Sequence, residues 1–241
     1  MTYLKIVKQY TSKIFIIVIA AIALITLPNN YSFSGTIDEL VERVEEVYRS
    51  TEDITANFEQ ISMIKSLNMS QNFNGVVCFK KGGRILWDYN PPHAQKIVSN
   101  GAKFWFYSPE DKEVLVINYD EAFKSRTPIV FLAGVGQLRE HFHVTLLHDD
   151  EITHEKLPQK DHHIFQLIPR GEDLNLKKML LYISKESFLI EGTVTVDAFN
   201  TSNTIFFSKI KRNSGLPDNI FEFTPPEEVR IITPLGGGIQ K

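Results

Sequence analysis

The sequence predicts a mainly β protein, in which one strongly curved antiparallel sheet carries a few helices across one face. From Asp53 onward, apolar residues recur with a period of two through about eleven short segments. Turns such as Gly82-Gly83 and Asn100-Gly101 separate several of these segments and supply the positive φ angles that tight hairpins need. Parallel strands would require long crossover connections, so we predict an antiparallel meander.

Composition excludes several classes of protein. The chain has 241 residues and a net charge of −3, which offers no basic field for holding nucleic acid. Its only cysteine, Cys78, excludes a disulfide framework and a multi-cysteine zinc site. Because no internal repeat or linker divides the chain, we predict one domain over residues 35–241, acting as a monomer without a nucleic-acid partner.

Residues 1–34 have the pattern of a secretory signal peptide. An apolar run over residues 14–27 follows a basic region that contains Lys5, Lys8 and Lys13. This run is shorter than the roughly 20 residues that a membrane-spanning helix needs. We expect cleavage before Gly35, with an uncleaved anchor as the alternative. No lipidation cysteine follows, so we expect a periplasmic protein of a Gram-negative-type bacterium without a lipid anchor.

The first helix is predicted immediately after this segment. Thr36 and Glu39 match a capping box, in which each side chain bonds the other residue's backbone amide. Apolar residues then follow at helical spacing: Ile37, Leu40, Val41, Val44, Val47 and Tyr48. Acidic residues fill the opposite side, so the pattern predicts an amphipathic helix that covers an apolar surface.

The predicted strands span residues 54–64, 73–81, 84–89, 95–99, 103–107, 113–117, 142–147, 163–168, 177–184, 189–199 and 204–212. Thr127-Pro128 interrupts this series and begins a short, very apolar helix over residues 127–138. Several strands carry bulky apolar residues on both faces, for example Leu86 beside Trp87. Either the outer face is partly covered, or the inner face holds more apolar surface than the helices fill and leaves a cavity.

Candidate catalytic and metal-binding residues are few. Six histidines lie between His141 and His163, and His141 and His143 are expected to share a strand face. Two histidines alone do not define a metal site, so we predict no metal. No nucleophile elbow, P-loop or paired acid is present, and Cys78 has apolar neighbours, so we predict that the protein is not an enzyme and uses no cofactor.

Short motifs in a fixed order resemble the LolA family of periplasmic lipoprotein carriers. They are Phe58-Glu59-Gln60, Gly75, Lys80-Lys81-Gly82, Trp87-Asp88-Tyr89, residues 95–101, residues 105–109, Thr127-Pro128 and residues 221–226. Each match is weak alone, and their order and spacing make the resemblance specific. It implies an incomplete, half-open β-barrel around an apolar cavity, lidded by helices.

The resemblance also implies partners and binding residues. The carrier would take acylated lipoproteins from an inner-membrane lipoprotein-releasing ABC transporter and pass them to an outer-membrane lipoprotein receptor. The implied acyl-chain site consists of Phe58, Ile85, Trp87, Tyr89, Phe104, Phe131 and Leu132. Lys81 stands where the best-studied members have an arginine that holds the lid shut, so it is the candidate for lid control, with a less rigid set of donors.

Two other functions fit the same features. One is a carrier or sensor for another amphiphile, such as a phospholipid, sterol or glycolipid. The other is a periplasmic signalling domain, which predicts further domains. An outer-membrane receptor is disfavoured because it needs an acylated cysteine at the mature N-terminus.

Overall fold

The computed structural model describes residues 36–119, 138–147, 161–171 and 176–233. All of them lie in the unit Thr36–Lys241. The predicted signal peptide and most of the predicted apolar helix, including Phe131 and Leu132, lie outside the described residues. Within the described residues, no helix is long and apolar enough to cross a membrane.

Helix α1 spans Ile37–Arg49 and begins with the capping box that the sequence predicts. The Thr36 amide donates to the Glu39 carboxylate at 2.9 Å, and the Glu39 amide donates to the Thr36 hydroxyl at 3.4 Å. Leu40, Val41 and Val44 are buried along one side of the helix. The amphipathic pattern therefore places an apolar stripe against the sheet.

One sheet contains all twelve described strands. They are β1 Asp53–Ile64, β2 Met69–Lys80, β3 Arg84–Tyr89, β4 Lys96–Asn100, β5 Lys103–Ser108, β6 Glu113–Asn118, β7 Phe142–Leu147, β8 His162–Pro169, β9 Lys178–Ser184, β10 Ile190–Val196, β11 Ser202–Arg212 and β12 Arg230–Ile232. Their order across the sheet is β12-β6-β5-β4-β3-β2-β1-β11-β10-β9-β8-β7. The edge strands β12 and β7 do not pair with each other, so the curved sheet forms an incomplete barrel, as predicted.

Several details differ from the prediction. Strand β12 was not predicted, and it pairs with β6 in parallel, so the sheet is not purely antiparallel. Three residues are too few to show a period of two, and their partner lies more than a hundred positions earlier in the chain. Strand β2 also begins at Met69, four residues before the predicted start at residue 73. A short helix, α2, covers Leu138–His141.

Different parts of the chain cover the inner face of the sheet and the β3–β5 part of its outer face. The inner face packs against α1, because the main core cluster joins Leu40, Val41 and Val44 to Phe58 and Trp87. On the outer face of β3–β5 lies the segment after β11. Its Phe221 is fully buried, and its Phe223 ring lies 6.4 Å from Trp105 and 5.4 Å from Tyr107. A covered outer face therefore explains why these strands are apolar on both sides.

Asp53 attaches this C-terminal segment to the start of β1. Its buried carboxylate accepts hydrogen bonds from the Ser214 amide (2.8 Å), the Ser214 hydroxyl (2.9 Å), the Gly215 amide (2.9 Å) and the Leu216 amide (3.1 Å). Burial alone would raise the pKa of Asp53, but these hydrogen bonds favour the ionised form and the net effect is a lowered pKa. Lys80 adds a 2.6 Å hydrogen bond to the Leu216 carbonyl.

Candidate acyl-chain site

Five of the predicted site residues lie on the inner face of the sheet. The register pairs Phe58 with Gly75 and Gly75 with Tyr89, which places both aromatic rings on one face. Ile85 and Trp87 follow on that face, because they alternate with Tyr89 along β3. Phe104 reaches the same face through Ser99, which pairs with both Ile85 and Phe104.

Phe58, Trp87 and Tyr89 form one cluster beneath α1. The Phe58 ring lies 4.9 Å from Trp87 and 5.0 Å from Tyr89, and Trp87 also lies 6.1 Å from Phe207. Gly75 creates the space for this contact. A Cβ atom at Gly75 would stand 2.0 Å from the backbone oxygen of β3 and 2.9 Å from the Phe58 ring.

Ile85 and Phe104 belong to a neighbouring cluster. Both are fully buried, and the Phe104 ring stacks on the Tyr119 ring at 5.5 Å. Tyr119 directly follows β6 and is the last described residue of the range 36–119. Phe79 and Ile97 contact both clusters. The inner face is therefore one continuous apolar surface from α1 to Tyr119.

A few polar side chains lie within this apolar surface. The Tyr89 hydroxyl donates to the Gln60 side chain at 2.9 Å, and the Tyr48 hydroxyl accepts from the Ile190 amide at 3.1 Å. Burial raises the pKa of both tyrosines to about 12. The Trp87 indole Nε1 is buried and has no hydrogen-bond partner among the described residues.

A small cavity lies beneath the C-terminal end of α1. Its volume is about 30 Å³, which is room for one or two water molecules. Its lining consists of Tyr48, Ile54, Ala56, Val77, Phe79, Ile190, Phe207 and Ile210. Cavities that hold whole ligands measure roughly 300–1,000 Å³. This cavity by itself is therefore too small to hold an acyl chain.

Several lining residues were not among the predicted site residues. Among them, the sequence pattern points most clearly to Phe79 and Phe207, because each alternates with other inward-facing apolar residues on its strand. Adjacent Phe206 and Phe207 are both bulky, however, so the alternation alone does not say which of them points inward. The pairing of Phe207 with Phe58 decides it.

Helix α1 is attached to its surroundings by a few polar contacts besides its apolar stripe. Glu45 accepts from the Leu138 amide at 3.1 Å, and Arg139 forms an ion pair with Asp38 at 3.2 Å. Arg43 lies over the Phe188 ring at 5.5 Å. With the Tyr48 hydrogen bond, these contacts connect the helix to α2 and to the start of β10.

Lys81 lies at the turn after β2, close to the C-terminal end of α1. Its ammonium group forms a 2.5 Å ion pair with Glu52, and its amide donates to the Glu52 carbonyl at 2.9 Å. Arg84 donates to the Lys81 carbonyl at 2.9 Å and stands 3.8 Å from Asp218. Lys81 thus contacts the loop that joins α1 to β1. Its role in lid control stays a prediction.

The histidine region does not form the predicted arrangement. His141 lies in α2, whereas His143 lies in β7, so the prediction that they share a strand face was wrong. The backbone turns between them, and alternation along a strand does not apply across a helix end. His162 instead bonds Glu191 at 2.8 Å. Across residues 36–119, 138–147, 161–171 and 176–233, no three histidine, cysteine or acidic side chains are grouped to hold a metal ion.

Cys78 is buried on the outer face, 3.6 Å from the Thr55 hydroxyl. Burial raises the pKa of its thiol, which lowers its reactivity as a nucleophile.

The fold and site together define a class of protein. An open, curved sheet with a continuous apolar inner face, closed by an amphipathic helix, is the architecture of a half-open barrel built to cover apolar groups. The sequence comparisons then identify the family. The model of the family described as "Outer membrane lipoprotein carrier protein LolA" matches residues 49–224, so this chain belongs to the LolA family, which is a family of carriers.

Individual relatives agree with this assignment. An outer-membrane lipoprotein carrier protein from Nitrosomonas europaea is 30% identical over 177 residues, which are 73% of this chain and 81% of the relative. One from Methylobacillus flagellatus is 26% identical over 193 residues, or 80% and 88% of the two chains. Among solved structures, an uncharacterized conserved protein from Thermus thermophilus has the same fold. It has a TM-score of 0.51 and 13% identity, and covers 81% of this chain and 98% of that chain.

Proposed function

We propose that this protein carries acylated lipoproteins through the periplasm and that the acyl chains lie against the inner face of the sheet. The observation that carries this proposal is the continuous apolar surface from α1 to Tyr119, joined to membership of a lipoprotein carrier family. Phe58, Ile85 and Trp87 are the central residues of this surface, with Tyr89 and Phe104 beside them.

The energetics of an acyl chain explain why a carrier is needed. A palmitoyl chain has about 15 methylenes, and exposing each to water costs roughly 0.8 kcal/mol, or about 12 kcal/mol in all. A lipoprotein with several such chains would not leave a membrane unaided at a useful rate. An apolar surface that replaces the membrane removes most of this cost. Binding of this kind requires no bond to be made or broken, so we propose that the protein acts without catalysis.

We propose that cargo binding opens the inner face beneath α1. The cavity there, of about 30 Å³, is far smaller than a ligand cavity of roughly 300 Å³ or more. We propose that the acyl chains displace α1 from the sheet, together with the apolar segment that contains Phe131 and Leu132. Trp87 Nε1 has no hydrogen-bond partner among the described residues, which supports an occupant at this position. A buried donor left without a partner costs about 1–3 kcal/mol, and a cargo carbonyl would satisfy it.

Lys81 is the proposed control point for this opening. Its ion pair with Glu52 attaches the β2–β3 turn to the loop after α1. Lys81→Met removes that pair, and we expect the variant to release bound cargo faster than the wild type. Both groups are largely solvent-exposed, so the unfolding free energy should change by less than about 1 kcal/mol. An unchanged release rate would contradict the assignment.

The remaining parts of the proposal concern location and partners. Residues 1–34 act as the export signal, and the protein acts in the periplasm as a monomer. It receives lipoproteins from an inner-membrane ABC transporter, whose ATPase supplies the energy, and passes them to an outer-membrane receptor.

Photo-crosslinking tests the position of the cargo. Tyr89 on the inner face and Tyr107 on the outer face are each replaced by p-benzoylphenylalanine, which keeps an aromatic ring at both positions. We expect acylated lipoprotein to crosslink at position 89 and not at position 107. Equal yields at the two positions would contradict the proposed site.

A second experiment tests the lid and the type of cargo. Phe131→Asp combined with Leu132→Asp should abolish binding of acylated lipoprotein while the circular dichroism stays that of a β protein. Mass spectrometry of molecules that co-purify with the wild type should recover acylated lipoprotein. Recovery of phospholipid alone would instead support a carrier for another amphiphile.

A further inference from the structure

One end of the sheet exposes a group of large apolar side chains, which we call the hairpin-tip patch. Its members are Met63, Ile64, Leu67, Met69 and Phe199, with 45%, 38%, 63%, 59% and 75% of their surfaces exposed. They form most of the exposed large hydrophobic residues in the described part of the chain. Burying such side chains is favourable, so a concentrated group left in water indicates an interaction surface.

Strand pairing places these residues around one end of the sheet, with Met63 on the opposite face from Ile64 and Met69. Ile64 pairs with Met69 at the end of the β1–β2 hairpin, and Met63 pairs with Ser202 at the start of β11. The β10–β11 turn that carries Phe199 therefore lies beside the hairpin end. Asp197 accepts hydrogen bonds from the Phe199 amide at 2.9 Å and the Thr201 amide at 2.7 Å, which orders this turn.

The β1–β2 hairpin extends past its neighbour on one side. Strand β3 pairs with β2 only from Gly75 onward, whereas β1 continues to pair with β2 as far as Met69. Six residues of β2, at positions 69–74, thus lie beyond the ladder that β2 forms with β3. The patch is a projecting tip and not a groove.

The charge of the tip differs from that of the whole chain. Residues 61–71 contain one charged side chain, Lys65, although the chain carries a net charge of −3. The end of the β1–β2 hairpin therefore combines apolar side chains with one cation, and the acid of the neighbouring turn, Asp197, accepts hydrogen bonds from that turn's own amides. Two of its members are methionines, whose flexible side chains adapt to irregular surroundings.

We propose that the hairpin-tip patch inserts shallowly into the surface of a lipid bilayer, with Lys65 at the level of the headgroup phosphates. A projecting apolar tip has no concavity to receive a peptide segment, but a fluid interface closes around it. The Lys65 ammonium group attracts anionic headgroups, and the apolar side chains beside it reach the boundary between the headgroups and the acyl chains. This inference goes beyond the proposed carrier function, because it concerns a surface outside the inner face and requires no cargo.

Vesicle flotation tests the proposal. Purified protein without cargo is mixed with vesicles of phosphatidylcholine and phosphatidylglycerol, and bound protein is measured after centrifugation. Leu67→Ser combined with Phe199→Ser should lower the partition coefficient at least roughly tenfold, which is about 1.4 kcal/mol. Ile231→Ser is the matched control, because Ile231 is 58% exposed but lies on edge strand β12. It should bind as the wild type does.

Lys65→Glu separates the electrostatic part of the interaction. It should weaken binding to these anionic vesicles by roughly fivefold or more and change binding to phosphatidylcholine vesicles much less. The substituted residues are exposed, so thermal unfolding should match the wild type in every variant.

Two results would overturn the proposal. One is that the wild-type protein does not bind protein-free vesicles. If it then binds native membranes, and protease treatment of those membranes abolishes the binding, the patch is a protein-docking site. The other is an equal loss of binding in the Ile231→Ser control. Crosslinking of cargo at position 89 in detergent solution is independent of the tip, so it reports separately on the carrier function.

Discussion

Replacing Phe58 by alanine tests whether the inner aromatic cluster stabilises the fold. Phe58 is 1% exposed, and its ring contacts Trp87 and Tyr89 at centroid distances of 4.9 and 5.0 Å. On the neighbouring strand β2 it pairs with Gly75, which has no side chain that could fill the space left by the ring. The cavity should therefore persist, and we place the loss of stability in the usual range for buried phenylalanine, about 3–5 kcal/mol.

Urea unfolding monitored by tryptophan fluorescence measures this loss, since Trp87 lies next to the substituted ring. With a denaturant slope of about 2 kcal/mol per molar urea, the midpoint should fall by roughly 1.5–2.5 M. That is a large part of the ~5–15 kcal/mol that stabilises a typical domain.

Phe199→Ala is the matched control for this experiment. It deletes the same atoms from a side chain that is 75% exposed, so the unfolding free energy should change by no more than about 0.5 kcal/mol. A loss below about 1 kcal/mol for Phe58→Ala would refute the reasoning, because the ring would then contribute little to the core. Similar losses in both variants would refute it equally.

Three further substitutions test particular contacts. Gly75→Ala should lower the melting temperature, because its Cβ would stand 2.0 Å from the β3 backbone and overpacking costs about 1–3 kcal/mol; unchanged melting would contradict the close approach. Tyr48→Phe leaves a buried amide without its acceptor and should cost about 1–3 kcal/mol in urea unfolding. Asp53→Asn should destabilise the fold at neutral pH. Because the pKa of Asp53 is lowered, its stabilisation is complete above the unfolded value of about 3.9 and disappears as the pH falls through the folded pKa. The difference in unfolding free energy between wild type and variant should therefore shrink on acidification, and a constant difference would contradict the assignment.

Local patterns predicted much of this protein. The Thr36–Glu39 capping box depends on residues three positions apart, and the helix that follows depends on apolar spacing within one segment. Strand alternation places Ile85, Trp87 and Tyr89 on one face of β3, but it does not say which face lines the interior. The motifs that resemble LolA also identified the family, which the comparison over residues 49–224 confirms.

Other features depend on residues far apart in the chain. The four hydrogen bonds to Asp53 come from residues more than 160 positions later, and no local pattern connects them. The same holds for Phe223, whose packing on Trp105 and Tyr107 explains the apolar outer face. Which of two adjacent phenylalanines points inward was likewise decided by the pairing of β11 with β1.

The sequence by itself determined the capped helix, most of the strands and the family, because these follow from spacing within short segments and from the order of motifs. Tertiary structure alone decided which strand faces point inward, what covers the outer face of β3–β5 and which apolar side chains remain exposed at the hairpin tips. Burial is a property of three-dimensional neighbours: Leu67 and Leu40 have the same side chain, and only packing leaves one in water and the other in the core.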